Sequence, residues 1–120
     1  MARILVIDDD PDMRAMLEQT LGPAGYEVVL AAHGGEGVEL YRAKPTDLVI
    51  TDLFMPRQEG LETIAKLRKE FSTATIIAMS GKTSANTMLT IAKRLGAVAV
   101  LEKPFPPDRL LSAVKEALQP

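Results

Sequence analysis

Four short apolar runs in this chain each lead into a polar group able to do chemistry. Ile4-Leu5-Val6-Ile7 runs into Asp8 and Asp9, and Leu48-Val49-Ile50-Thr51 into Asp52. Ile76-Ile77-Ala78-Met79 runs into Ser80, and Val98-Ala99-Val100-Leu101, after Glu102, into Lys103-Pro104. Each group sits where a short buried strand should end. If the strands are parallel neighbours, those ends share one edge of a sheet, the edge where open α/β sheets bind ligands. Two carboxylates ~4 Å apart repel by ~4 kcal/mol at an effective dielectric near 20, and a third adds to that. A site so crowded must hold a proton or bind a cation. The pattern points to an acidic, cation-dependent site with a serine and a lysine at its rim.

The elements that must position these groups alternate along the chain. Strands are expected over Arg3 to Ile7, Tyr26 to Ala31, Asp47 to Thr51, Thr75 to Met79 and Val98 to Leu101. Asp10 reads as a helix N-cap with Pro11 at the first helical position. Met13, Met16, Leu17 and Leu21 follow at helical spacing, and Gly22-Pro23 and Gly25 close that helix. His33-Gly34-Gly35 reads as a solvated turn before a short second helix carrying Val38, Leu40 and Tyr41, which Pro45 breaks. Leu61, Ile64, Leu67 and Phe71 stripe a third helix. Met88, Ile91, Ala92 and Leu95 stripe a fourth, ended by Gly96. Pro106-Pro107-Asp108 opens a fifth, with Leu110, Leu111, Val114 and Leu118 inward. This is a (βα)₅ α/β chain, for which a parallel sheet covered by helices on both faces and right-handed crossovers are expected.

Composition narrows the class. A chain of 120 residues, 47% hydrophobic and 25% charged, is most simply one globular domain over residues 1–120, with no output domain after the last helix. A net charge of −2 lacks the basic surplus of a nucleic-acid binder. The absence of cysteine excludes disulfides and thiolate chemistry. No apolar run approaches the ~20 residues of a membrane helix, and the first strand is too short for a signal segment, so a cytoplasmic protein is expected.

Asp8-Asp9, the Asp52-Leu-Phe-Met-Pro segment with Gly60, Ser80-Gly81 and Lys103-Pro104-Phe105, taken in order, resemble the receiver domain of two-component response regulators along the whole chain. The resemblance implies a flavodoxin-like three-layer sandwich with strand order 2-1-3-4-5. It implies that Asp52 accepts a phosphoryl group from a phosphohistidine on a sensor histidine kinase or a histidine phosphotransfer protein. Mg²⁺ suits such a site, since it takes oxygen ligands from one or two carboxylates plus waters. By the resemblance, Asp9 and Asp52 are direct ligands, Asp8 acts mainly through a water, and the backbone carbonyl of Phe54 supplies another. Lys103 is the counter-charge to the phosphoryl oxygens, the Lys103–Pro104 bond is cis, and Ser80 is the switch hydroxyl. The changed face is expected to be the fourth helix, fifth strand and fifth helix, read by a downstream protein or by a second copy in a phosphorylation-driven dimer.

Some positions depart from the family pattern. Val100 stands where an aromatic residue is usual, which puts the aromatic coupling to Ser80 in doubt. Arg57-Gln58-Glu59-Gly60 is more polar than usual. Phe54 stands where some receivers carry an amide or acid able to orient the hydrolytic water, so slow self-dephosphorylation is expected. Two other functions compete with the switch. A phosphatase using Asp52 as nucleophile would need an acid at position 54. A phosphorylation-independent receiver-like interaction module would typically have lost one of the acidic pair, the acceptor or the lysine. The chain is therefore expected to be a switch that phosphorylates and slowly dephosphorylates itself, not an enzyme in the ordinary sense.

Overall fold

The computed structural model describes residues 1–53, 59–81 and 85–119. The elements run β1 (Arg3–Ile7), α1 (Pro11–Leu21), β2 (Glu27–Ala31), α2 (Gly34–Ala43), β3 (Leu48–Asp52), α3 (Glu59–Glu70), β4 (Ile76–Ser80), α4 (Ala85–Arg94), β5 (Ala99–Glu102) and α5 (Pro107–Ala117). All strand pairs are parallel, in the order β2-β1-β3-β4-β5. The α/β flavodoxin-like architecture expected from the alternation and the resemblance is the one observed.

Side-chain alternation along the strands builds two separate cores. Leu5, Ile7, Val49, Ile76 and Ala78 pack with Val38 and Tyr41 of α2, Ile64 and Leu67 of α3 and Ala92 of α4. Ile4, Val6, Ile50, Ile77 and Met79 pack on the other face with Leu17 and Leu21 of α1 and Leu110 and Val114 of α5. The central strands β3 and β4 are buried at every residue, as near-continuous apolar runs covered on both faces should be. The sheet margins β2 and β5 are only partly covered.

Local chemistry sets the helix ends. The Asp10 carboxylate accepts from the Asp12 N–H at 2.9 Å, with Pro11 following as the first helical residue. Gly96, at φ +112°, takes the left-handed turn after α4. Two expectations need correcting. β3, β4 and β5 each lie one residue later than expected, so Asp52, Ser80 and Glu102 belong to the ladder, with Asp52 paired to Met79 and Ser80 to Glu102. Continued pairing holds them there: the Leu53 N–H reaches the Met79 carbonyl at 2.8 Å, and the Lys103 N–H reaches the Ser80 carbonyl at 2.7 Å.

The second correction concerns His33. It is exposed, but it is the N-cap of α2 and not a plain turn residue: its ring Nδ1 accepts from the Glu36 N–H at 3.2 Å. Glu36 in turn accepts from the Ala32 N–H at 2.7 Å, a reciprocal arrangement like a capping box. Gly34, Gly35 and Gly37 are therefore helical. At Gly37 a Cβ would stand 2.3 Å from Ile7 Cδ1, so close helix-to-strand packing and not a turn excludes a side chain there.

Candidate metal and phosphoryl site

β1 and β3 are neighbours, and their C-terminal ends bring Asp8 and Asp52 together. Asp8 is fully buried, anchored by its N–H to the Ala31 carbonyl at 3.1 Å. One of its carboxylate oxygens accepts from the Asp10 N–H at 2.9 Å and the other from Lys103 Nζ at 3.0 Å. Lys103 Nζ also lies 3.4 Å from Asp52 Oδ1, and Asp52 is buried. One ammonium thus spans two carboxylates. Burial by itself would lower the Lys103 pKa, but the bond to Asp8 and the charges of Asp52 and Asp8 outweigh it, so the value is raised and Lys103 is a cation at neutral pH.

Asp9 is exposed beside this pair. One carboxylate oxygen from each of Asp8, Asp9 and Asp52 lies within 4.8 Å of the others. The donors are all hard oxygens, two buried and one open to water. That set suits a hard divalent cation such as Mg²⁺, which keeps several of its own waters, and offers nothing to a thiolate- or imidazole-preferring metal.

Ser80 is completely buried, and its Oγ has no hydrogen-bond partner among the described residues. An unmet buried hydroxyl forgoes ~1–3 kcal/mol, so one at a strand end beside an ionic cluster needs an explanation. Gly60 closes the site from α3: a Cβ there would fall 2.2 Å from the Asp52 carbonyl oxygen and 2.5 Å from Leu53 Cα. The Lys103–Pro104 peptide is cis, as the resemblance implied. Phe54, expected to offer a carbonyl ligand, and the segment through Gln58 lie outside the described residues. Val100 is half-buried on β5.

Asp8, Asp52 and Lys103 meet directly, Asp9 joins them within ligand reach, and Ser80 stands on the neighbouring strand end. Arg14 was not anticipated. Its Nη1 donates to the Asp8 backbone carbonyl at 2.7 Å.

With this geometry the sequence comparisons agree. The chain belongs to the response regulator receiver domain family, which matches residues 4–115. It is 35% identical to the chemotaxis protein CheY of Bacillus subtilis over 117 residues, 97% of each chain. It is equally similar to the probable transcriptional regulator ycf27 of Porphyridium aerugineum, at 35% over 117 residues, but spans only 48% of that protein's length.

Among solved structures, CheY4 of Vibrio cholerae superposes with a TM-score of 0.91 at 32% identity, covering 98% of this chain and 99% of that one. The response regulator TrrA of Thermotoga maritima, solved in complex with Mg²⁺-BeF, superposes at 0.88 with 35% identity, covering 98% of this chain and 100% of that one. No helix among the described residues is long and apolar enough to cross a membrane.

Proposed function

We propose that this receiver domain is a phosphorylation-activated signalling switch in which Asp52 is the phosphoryl acceptor. A carboxylate oxygen of Asp52 attacks phosphorus in line. The bond from phosphorus to the donor imidazole breaks, the imidazole nitrogen regains a proton, and an acyl phosphate forms. The observation that carries this reading is Lys103 Nζ held between Asp8 and Asp52, a fixed cation beside the acceptor. Lys103 stabilises charge on the phosphoryl oxygens. Mg²⁺ would be held by Asp9 and Asp52, by Asp8 through a water and by the Phe54 carbonyl, and when bound it neutralises the clustered charge.

The unmet Ser80 hydroxyl is supplied with an acceptor once a phosphoryl oxygen arrives, which draws the following loop inward. The readout face is α4, β5 and α5, where Lys93, Val98, Val100, Arg109, Ala113 and Glu116 line a groove of about 600 Å³. With Val100 in place of an aromatic residue, the Ser80 shift reaches that groove by backbone movement of β4 and β5, not by a ring rotation. The donor is a sensor histidine kinase or a histidine phosphotransfer protein in the cytoplasm. The reader is a downstream protein or a second phosphorylated copy. Phe54 leaves hydrolysis without a water-orienting side chain, so the chain is a slowly resetting switch and not a turnover enzyme.

Intact mass after incubation with acetyl phosphate tests this reading, with Mg²⁺ or EDTA, on wild type and Asp52→Ala. One Mg²⁺-dependent phosphoryl adduct, absent from the variant, is expected. A folded wild type that gains none from acetyl phosphate or from a phosphorylated kinase would favour a phosphorylation-independent interaction module.

A further inference from the structure

Arg14 is the fourth residue of α1, and its backbone N–H makes a helical bond to the Asp10 carbonyl at 3.0 Å. From this fixed base the half-buried side chain reaches back to the Asp8 carbonyl, at 2.7 Å. That carbonyl lies beyond the ladder, because the β1 pairings end at Ile7, opposite Ala31 and Thr51. The Asp8 N–H, tied to Ala31, fixes the preceding Ile7–Asp8 unit, and the Arg14 bond to the Asp8 carbonyl restrains the next unit, which joins Asp8 to Asp9. The tilt of that unit decides where the exposed Asp9 carboxylate points relative to Asp8 and Asp52.

We propose that Arg14 is a positioning residue of the cation site, fixing the Asp8–Asp9 peptide so that the three carboxylates converge. This rests on the reading of the acidic trio as an Mg²⁺ site. The sign of the effect separates positioning from simple charge. A guanidinium repels a divalent cation, so by Coulomb's law alone removing it would tighten binding. If Arg14 aims the ligands, removing it loosens binding despite the lost repulsion. Partners behind a metal's direct ligands typically change affinity ~10–100-fold when mutated.

The test is calorimetric titration of the intact chain with MgCl₂. Arg14→Met, which keeps the packing stem and removes every donor, is expected to weaken Mg²⁺ binding about tenfold while keeping its circular dichroism. Arg14→Lys, which retains the charge and an N–H donor group, should recover most of the loss. Adduct formation with acetyl phosphate in Arg14→Met should be slow at low Mg²⁺ and return to the wild-type rate at saturating Mg²⁺. Should Arg14→Met fold poorly, Arg14→Leu also lacks the donors and should show the same loss.

Binding as tight as wild type, or tighter, in either donor-less variant overturns the proposal. Wild type that fails to bind Mg²⁺ overturns both this role and the cation site. Wild type that binds Mg²⁺ yet never gains a phosphoryl group would end the acceptor reading while leaving the Arg14 result to stand by itself.

Discussion

Ser80 and Lys103 stand on adjacent strand ends and carry opposite debts to the fold. The Ser80 hydroxyl is buried without a partner among the described residues, so its desolvation calls for an acceptor. Ser80→Ala is therefore expected to leave stability unchanged or raise it by up to about 1 kcal/mol, read by urea unfolding in EDTA. A loss beyond about 1 kcal/mol would mean that the hydroxyl is already satisfied. Lys103 is well partnered, and its pKa is raised above the ordinary lysine value of 10.5. A folded value above the unfolded one gives stability that is whole below pH 10.5 and is lost as pH rises through the folded value.

Tyr41 works in the same direction, because burial, and then the charge of Asp47, raise its phenol above 10.0. Urea midpoints should therefore fall as pH rises above about 10, less steeply in Lys103→Met; a flat wild-type profile would contradict this. Asp8, Asp9, Asp52, Ser80 and Lys103 were legible in the sequence because four polar strand ends occur together and in order, whereas any one of them alone reads as a turn or cap residue. Arg14 was not, because its partner is a backbone carbonyl, and no residue type marks where a carbonyl points.

At the scale of elements, α3 enters against β3 through a glycine with no room to spare. A methyl on Gly60 would strike the Asp52 carbonyl and Leu53 Cα, which are backbone atoms and cannot rotate away. Gly60→Ala should cost about 1–3 kcal/mol in urea and slow adduct formation at Asp52, because the acceptor's own peptide must shift. Gly37→Ala meets the end of the Ile7 side chain instead and should cost less in the same melt. Unchanged phosphorylation in Gly60→Ala would show that the acceptor tolerates displacement.

The ten elements were legible because strand-length apolar runs alternate with helical stripes between Gly and Pro breaks. The ends of β3, β4 and β5 were misplaced by one residue because a polar side chain reads as the start of a loop, whereas its backbone still pairs. The start of α2 was misplaced because three nearby glycines look like turn chemistry, when one answers to Ile7 and the cap is a histidine ring.

Across the whole molecule, the acidic trio carries more negative charge than the single Lys103 ammonium offsets, and a bound cation or a lost carboxylate charge relieves the remainder. In EDTA, Asp52→Asn should melt higher than wild type, since it removes one charge of the trio while Lys103 keeps Asp8 at 3.0 Å. Adding Mg²⁺ should raise the wild-type melt, by about 2.7 kcal/mol of stability at a hundred times the dissociation constant, and raise the variant far less. Equal melts in EDTA would mean that the three carboxylates do not repel as their spacing requires.

The placement of the trio also bears on local opening. Asp8 directly follows β1 and Asp52 ends β3, strands that lie inside the sheet, whereas β5 is a margin strand with partly covered residues. Amide hydrogen exchange should therefore be slowest along β1 and β3, opening only with global unfolding, and faster along β5. On the proposed reading the α4–β5–α5 readout face then lies on the less protected margin of the sheet, and Lys103, which follows β5 and reaches Asp8 and Asp52, ties that margin to the site.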